Sequence, residues 1–115
     1  MMKDGVYYVI FKSSAGAFGE GVLVVQQGCV NGGDVGFVYQ GRLMRPEMTL
    51  HIKRHHEDIP SVLGMESDYE LVMRYEKERE GEYRLQGYAK DSPVLTIEGH
   101  AGFLAPLLTP LETHI

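Results

Sequence analysis

Histidines and acids crowd one stretch of this chain, where His51, His55, His56, Glu57 and Asp58 fall within residues 51–58. Imidazole and carboxylate are the ligand set of a zinc or related metal centre. The spacing argues against one. In an extended strand, residues four apart stand about 13 Å apart at ~3.3 Å per residue, so His51 and His55 cannot share an ion. His55 and His56 would point to opposite faces. A cross-strand histidine such as His100 could complete a site, but nothing in the spacing asks for it. The expectation is a solvated strand end and no metal. Cys29, the only cysteine, has no histidine or basic residue beside it in sequence to lower its pKa, and reads as a small buried or half-buried hydrophobe. No Gly-x-Ser-x-Gly elbow occurs. The carboxylates from Glu76 to Glu82 read as an exposed hairpin tip, where a water-excluding pocket is not expected. No catalytic residue and no cofactor are expected, and the chain reads as non-enzymatic.

The segment VNGGDVGFVYQGRL, from Val30 to Leu43, contains Gly32-Gly33-Asp34. Diguanylate cyclases carry Gly-Gly-Asp between two strands, but their motif continues Glu-Phe inside a larger α/β domain. Here Val35-Gly36 follows, and no βαβ pattern exists to hold a nucleotide. Asn-Gly between strands is a hairpin signal. The motif therefore reads as a corner, with Gly32 and Gly33 at positive φ and Asp34 bonding back to the turn's amides. Gly36 and Gly41 would let the sheet bend or approach a neighbouring backbone.

The elements that position these residues read as strands. Met48–Lys53, Tyr69–Tyr75, Glu82–Gln86 and Leu95–Glu98 alternate apolar and polar with period two, as half-buried strands do. Tyr69 to Leu85 carries no apolar stripe at helical spacing through Glu76–Glu82, so it reads as strand, turn, strand with Gly81 at the tip. Val6–Phe11 (VYYVIF) and Val22–Val25 (VLVV) are apolar on both faces, which implies cover from chain, ligand or partner. Asn31–Asp34 reads as a turn. Val35–Leu43 and Met48–His55 pair across Arg45-Pro46-Glu47. From His56 to Ser67 alternation stops, and Ile59–Leu63 is either one helical turn or an ordered loop. A tail from Phe103, with Pro106 and Pro110, cannot continue a central strand.

About eight strands on hairpin-length connections fit an up-and-down barrel or a two-sheet sandwich. Uniform meander spacing favours the barrel, whose closure also removes exposed edges. We therefore expect one all-β domain over residues 1–115, an eight-stranded antiparallel barrel with an irregular C-terminal tail. Such a barrel encloses side chains or one small ligand. Tyr8, Ile10, Leu23, Leu50, Ile52, Leu71, Met73, Leu85 and Ile97 are its expected interior, and as the lining of a ligand cavity they would make the chain a carrier or sensor of a small apolar molecule or lipid.

The formal charge is −5, and residues 66–82 hold seven acids against three bases. Such a surface repels phosphate, so direct nucleic-acid binding is not expected, whereas a basic protein would be attracted. The surface positions expected to meet a partner are Arg45 and Glu47 in one turn and Glu76, Glu78, Glu80 and Glu82 in another. The start MMKDGVYYVIF lacks a signal peptide's apolar core and cleavage site. No apolar run approaches the about 20 residues of a membrane helix. The expected setting is the reducing cytoplasm.

Six segments then bring a family into view. Met2-Lys3-Asp4-Gly5-Val6-Tyr7, Gly19-Glu20-Gly21-Val22-Leu23, Gly32-Gly33-Asp34-Val35, Val38-Tyr39-Gln40-Gly41, Ile59-Pro60-Ser61-Val62-Leu63 and Asp68-Tyr69-Glu70-Leu71-Val72 occur in this order. The series resembles GrlR-type negative regulators of type III secretion from attaching-and-effacing enteric bacteria, over roughly the first 73 residues. The resemblance implies a lipocalin-like β-barrel that forms a homodimer and binds a transcriptional activator, keeping it from secretion genes. It also implies an acidic Glu-Asp-Glu-Asp run, tied to partner binding, in the loop before the clean alternating strand. Here that loop is Met44-Arg45-Pro46-Glu47-Met48, with one acid and an opposing base. Three readings follow: a different partner, a contact moved to the acidic hairpin at Glu76–Glu82, or a regulatory role that is not shared.

Overall fold

The structure, a computed structural model, describes residues 2–65 and 67–111. Eight strands follow one another: β1 (Gly5–Ser13), β2 (Phe18–Gln26), β3 (Cys29–Gly33), β4 (Phe37–Met44), β5 (Glu47–Arg54), β6 (Tyr69–Arg79), β7 (Glu82–Ala89) and β8 (Ser92–Ala105). Each pairs antiparallel with the next, and β8 returns to pair with β1, closing the barrel. The up-and-down barrel expected from the spacing is the one observed. Closure leaves no strand with an unpaired flank.

The wall follows from alternation. Met48, Leu50 and Ile52 of β5 face inward and meet Met73, Leu71 and Tyr69 of β6 in register. Tyr75 and Leu85 pair across β6 and β7 in the same way. Cross-strand apolar pairs of this kind hold a sheet in one register, because a slip by one residue would turn every inward side chain to water.

Strand β1 departs from expectation. Tyr7 and Val9 are the inward residues, fully or almost fully buried, while Tyr8 is half-buried on the outer wall and Ile10 is 48% exposed there. The interior positions expected at Tyr8 and Ile10 are therefore corrected to their neighbours. VYYVIF is apolar at every position, so period-two reasoning has no contrast with which to choose a face.

Three further boundaries move. Asn31–Gly33 belongs to β3, and the turn lies at 34–36. Neither Gly32 nor Gly33 has positive φ; glycine is needed because a Cβ on Gly32 would lie 2.0 Å from the Val22 carbonyl oxygen. β6 continues to Arg79 and β7 resumes at Glu82, so the hairpin tip is only Glu80-Gly81, with Gly81 at φ 77°. Glu76 to Arg79 are all exposed while Tyr83, opposite Lys77, is buried: the β6 arm of the hairpin loses its alternation here although pairing persists. Finally, Phe103 pairs with Tyr7 and Ala105 with Val6, so β8 runs to Ala105 and stops at the residue before Pro106 rather than before Phe103.

Between β5 and β6, residues 55–68 form an ordered connection with turns and no helix, Glu66 lying outside the described residues. It folds across one barrel end. The Ser13 hydroxyl donates to the Val62 carbonyl at 2.5 Å, and the His55 amide donates to the Gly36 carbonyl at 2.9 Å.

Candidate functional site

Two regions carry the residues singled out by sequence, and they occupy opposite ends of the barrel. At one end stand the β4–β5 and β6–β7 turns. Register places Glu47 opposite Arg74, and the Tyr75 amide donates to the Pro46 carbonyl at 3.0 Å. Arg45 and Glu47 are thereby brought beside Glu76, although some thirty residues separate them in sequence. The Arg45–Pro46 peptide is cis.

The hairpin's acids are matched by bases. Arg84 pairs with Glu76 at 3.1 Å, Lys77 with Glu80 at 2.9 Å and Arg79 with Glu82 at 2.8 Å. Lys3 adds a looser contact to Glu80 at 3.8 Å. The His100 ring lies between Glu78, 3.2 Å from Nδ1, and Glu82, 3.3 Å from Nε2. The hydrogen bond from Lys77 holds the Glu80 carboxyl below its ordinary value, and Glu80 raises Lys77 in return. Glu76, Glu80 and Glu82 thus meet Lys3, Lys77, Arg79 and Arg84, and Glu78 meets the His100 ring, so the surface is partly charge-compensated rather than uniformly acidic. Sequence counting misses this because Lys3, Arg84 and His100 come from the segment before β1, from β7 and from β8.

The other end is hollow. Here the interior encloses a cavity of about 260 Å³, closed over by Ile59, Pro60 and Val62 of the long connection. Leu23 of β2, Leu50 and Ile52 of β5, Leu71 and Met73 of β6, Leu85 of β7 and Ile97 of β8 line it; Tyr8 and Ile10 do not. Val9, Phe37, Tyr39 and Tyr69 belong to the lining and were not among the expected residues. Their signal is the period-two spacing of aromatics in Val35–Leu43 and the tyrosine that opens β6.

Asp34 sets the polar edge of this cavity. Its Oδ1 accepts the Gly36 and Phe37 amides at 2.8 and 2.9 Å, the back-bonding expected of an aspartate in a turn. Its Oδ2 accepts the Tyr39 hydroxyl. Burial, with that hydrogen bond second, pushes the Tyr39 phenol far above its ordinary range. Tyr69 is likewise raised, chiefly by burial, and its hydroxyl lies 3.3 Å from Ser61 Oγ. Toward the turn end, Tyr7, Tyr75, Tyr83 and Phe103 fill the barrel with edge-to-face rings at 5.6–6.4 Å.

The histidines of residues 51–56 disperse. His51 pairs with Glu70 at 3.5 Å, His55 Nε2 lies 2.9 Å from the Asp34 carbonyl, and His56 Nδ1 accepts the Asp58 amide. Among the described residues, no three histidines, cysteines or acids gather as metal ligands. Cys29 is half-buried, and Arg42, its partner across β3–β4, reaches its sulfur at 3.4 Å. None of the described residues forms a helix long and apolar enough to cross a membrane.

The fold defines a small, closed, all-β barrel. Among solved structures it is similar to a redesigned β-barrel, with TM-score 0.59 and 11% identity over 88% of this chain and 90% of that one, a likeness of fold alone. No curated protein matches the chain. A family model described as the type III secretion negative regulator GrlR matches residues 2–101. The chain belongs to the GrlR family of negative regulators of type III secretion. The match extends beyond the first 73 residues that carry the resemblance and reaches into β8.

Proposed function

We propose that this chain is a non-enzymatic binding protein that lowers secretion-gene expression by holding a transcriptional activator away from its promoters. The observation that carries the reading is family membership across residues 2–101. The formal charge of −5 supports capture of a protein rather than contact with DNA. The action belongs in the cytoplasm, where such an activator works.

The turn end offers the contact surface. Arg45, Glu47, Glu76, Glu78 and Glu80 all lie exposed around it, and Glu82 sits half-buried at its edge. Since its acids are already paired, a basic partner must exchange with Lys77 or His100 rather than fall into an open field of negative charge. Exposed pairs are worth only about 0–1 kcal/mol, so the exchange costs little. Recognition then rests on the fixed geometry of the two adjoining turns.

Affinity capture from the native host, joined to a secretion-gene reporter, tests this. The wild-type chain should recover a transcription factor. The double reversal Glu78→Lys/Glu80→Lys should weaken capture and raise reporter output. Recovery of no transcription factor, with the reporter indifferent to the reversal, overturns the proposal.

The chain acts as a homodimer in this reading. Its outer wall supports that: Val6, Tyr8 and Ile10 of β1 stand beside Val22 and Val24 of β2, half-buried or exposed. A two-fold pair would cover the same patch on both copies.

A further inference from the structure

We propose that the hollow end of the barrel is a binding site for a small, neutral, mainly apolar molecule carrying one hydrogen-bond donor, which Asp34 accepts. The site is independent of the partner surface, which lies at the opposite end.

Size comes first. The cavity measures about 260 Å³, larger than the roughly 150 Å³ apolar cavity that stays dry and takes up benzene. One to two fused aromatic rings, or a short chain of like volume, suit it. The emptiness is local. Four aromatic rings pack the far end, whereas here Gly99 occupies an inward slot of β8 between Ile97 and Ala101 and adds no side chain. Unfilled space forfeits dispersion contacts, and a guest would restore them.

Access comes next. Phe18 and Val35 line the cavity yet are 75% and 74% exposed. Two large apolar side chains held in water at the rim mark its mouth. The segment of the covering connection over the cavity is tied to the barrel by Ser13 to Val62 and Ser61 to Tyr69.

Charge then selects the guest. Among the described residues, the charged members of the lining are Glu20 and Asp34, both acids. A carboxylate guest such as a free fatty acid would meet like charge in the lining itself, the nearest bases, Arg54 over the Phe37 ring and Lys12 over the Phe18 ring, standing behind those side chains. A neutral guest would not. Asp34 already accepts two amides and the Tyr39 hydroxyl, but a carboxylate offers about four lone-pair sites. One remains for a guest's O–H or N–H.

The probe is 2-naphthol, with 2-naphthoate as its anionic counterpart, titrated calorimetrically into the full chain at neutral pH. One 2-naphthol should bind per chain, and 2-naphthoate at least tenfold more weakly. Leu71→Phe, which fills the cavity, should reduce 2-naphthol binding at least tenfold. On the wild-type chain, methyl resonances of Leu23, Leu85 and Ile97 should shift with 2-naphthol, a reading that stands even if Leu71→Phe fails to fold. Absence of 2-naphthol binding, equal affinity for 2-naphthoate, unshifted interior methyls, or a folded Leu71→Phe chain that binds unchanged would each overturn the proposal.

Discussion

The Tyr39 hydroxyl donates to the Asp34 carboxylate across the mouth of the barrel, tying β4 to the turn that introduces it. Asp34 spends its other oxygen on the turn amides of Gly36 and Phe37. Tyr39 is almost wholly buried. Tyr39→Phe keeps the ring and removes the donor, leaving one carboxylate oxygen short of a partner. The loss should be about 1.5–3 kcal/mol, as for a hydrogen bond to a charged group. Urea unfolding measures it, and an unchanged midpoint would mean that water replaces the phenol at no cost.

Glycine at position 32 answers to crowding, not to backbone freedom. A Cβ there would sit 2.0 Å from the Val22 oxygen and 3.0 Å from the Leu23 Cα, both backbone atoms. Neither can swing aside. Gly32→Ala should part β2 from β3 and cost at or beyond the about 1–3 kcal/mol typical of overpacking. Gly16 is the contrast: φ is +83° with open space around it. Gly16→Ala should cost about 1–2 kcal/mol from the left-handed conformation, less a gain from the stiffer unfolded chain. Paired melts of the two variants test the order; Gly16→Ala proving the worse would refute it.

Alkali should unfold the barrel through its tyrosines. Burial, followed by the nearby Tyr83, pushes the Tyr7 phenol from 10.0 up to about 12. Tyr69 and Tyr75 are raised as well, burial being the first cause in each. A folded-state pKa above the unfolded one means the unfolded chain releases its proton first. The stabilising contribution is therefore complete below pH 10 and drains away as pH climbs to about 12. Tyr7 alone adds a slope of at most about 1.4 kcal/mol per pH unit in that window. Urea midpoints should hold steady up to pH 10 and fall beyond it, less steeply in Tyr7→Phe. A fall of the same slope in that variant would assign the effect to other groups.

Legibility tracks the difference between the two faces of each strand. Met48–Lys53 and Tyr69–Tyr75 announce themselves because one face is wet and the other dry, and both fall where the pattern puts them. β1 exists where expected, yet its parity is hidden: Tyr7 and Tyr8 are alike in type, but one is fully buried inside and the other half-buried on the outer wall. Beyond Tyr75 the β6 arm of the hairpin is wet on both faces, so its pairing continues with no apolar signal. The compensation of Glu76 to Glu82 depends on bases from other elements. The cavity is hidden for a related reason, since inward residues are visible as a pattern but the volume they leave is not. Gly99, Asp34 and the connection at Ile59–Val62 decide that volume, and only the fold brings them together.

The apolar outer wall supplies a last test, of the proposed homodimer. Tyr8 lies opposite Val22, and Val6 opposite Val24, across the β1–β2 ladder. On one flank Tyr8 meets Gly102, where a Cβ would stand 2.2 Å from its ring; on the other, Val22 meets Gly33. Flanking glycines flatten the patch, so a second barrel can approach closely. Ile10 is 48% and Val22 42% exposed, which for a lone barrel leaves apolar surface in water. Two-fold contact repeats each residue, so two charges placed on one chain become four in one interface. Ile10→Glu/Val22→Glu should therefore convert a dimer to monomer in sedimentation velocity, with the β-sheet circular dichroism unchanged because neither side chain enters the core. A wild-type chain that sediments as a monomer, or a double variant that stays dimeric, would move the interface elsewhere or remove it.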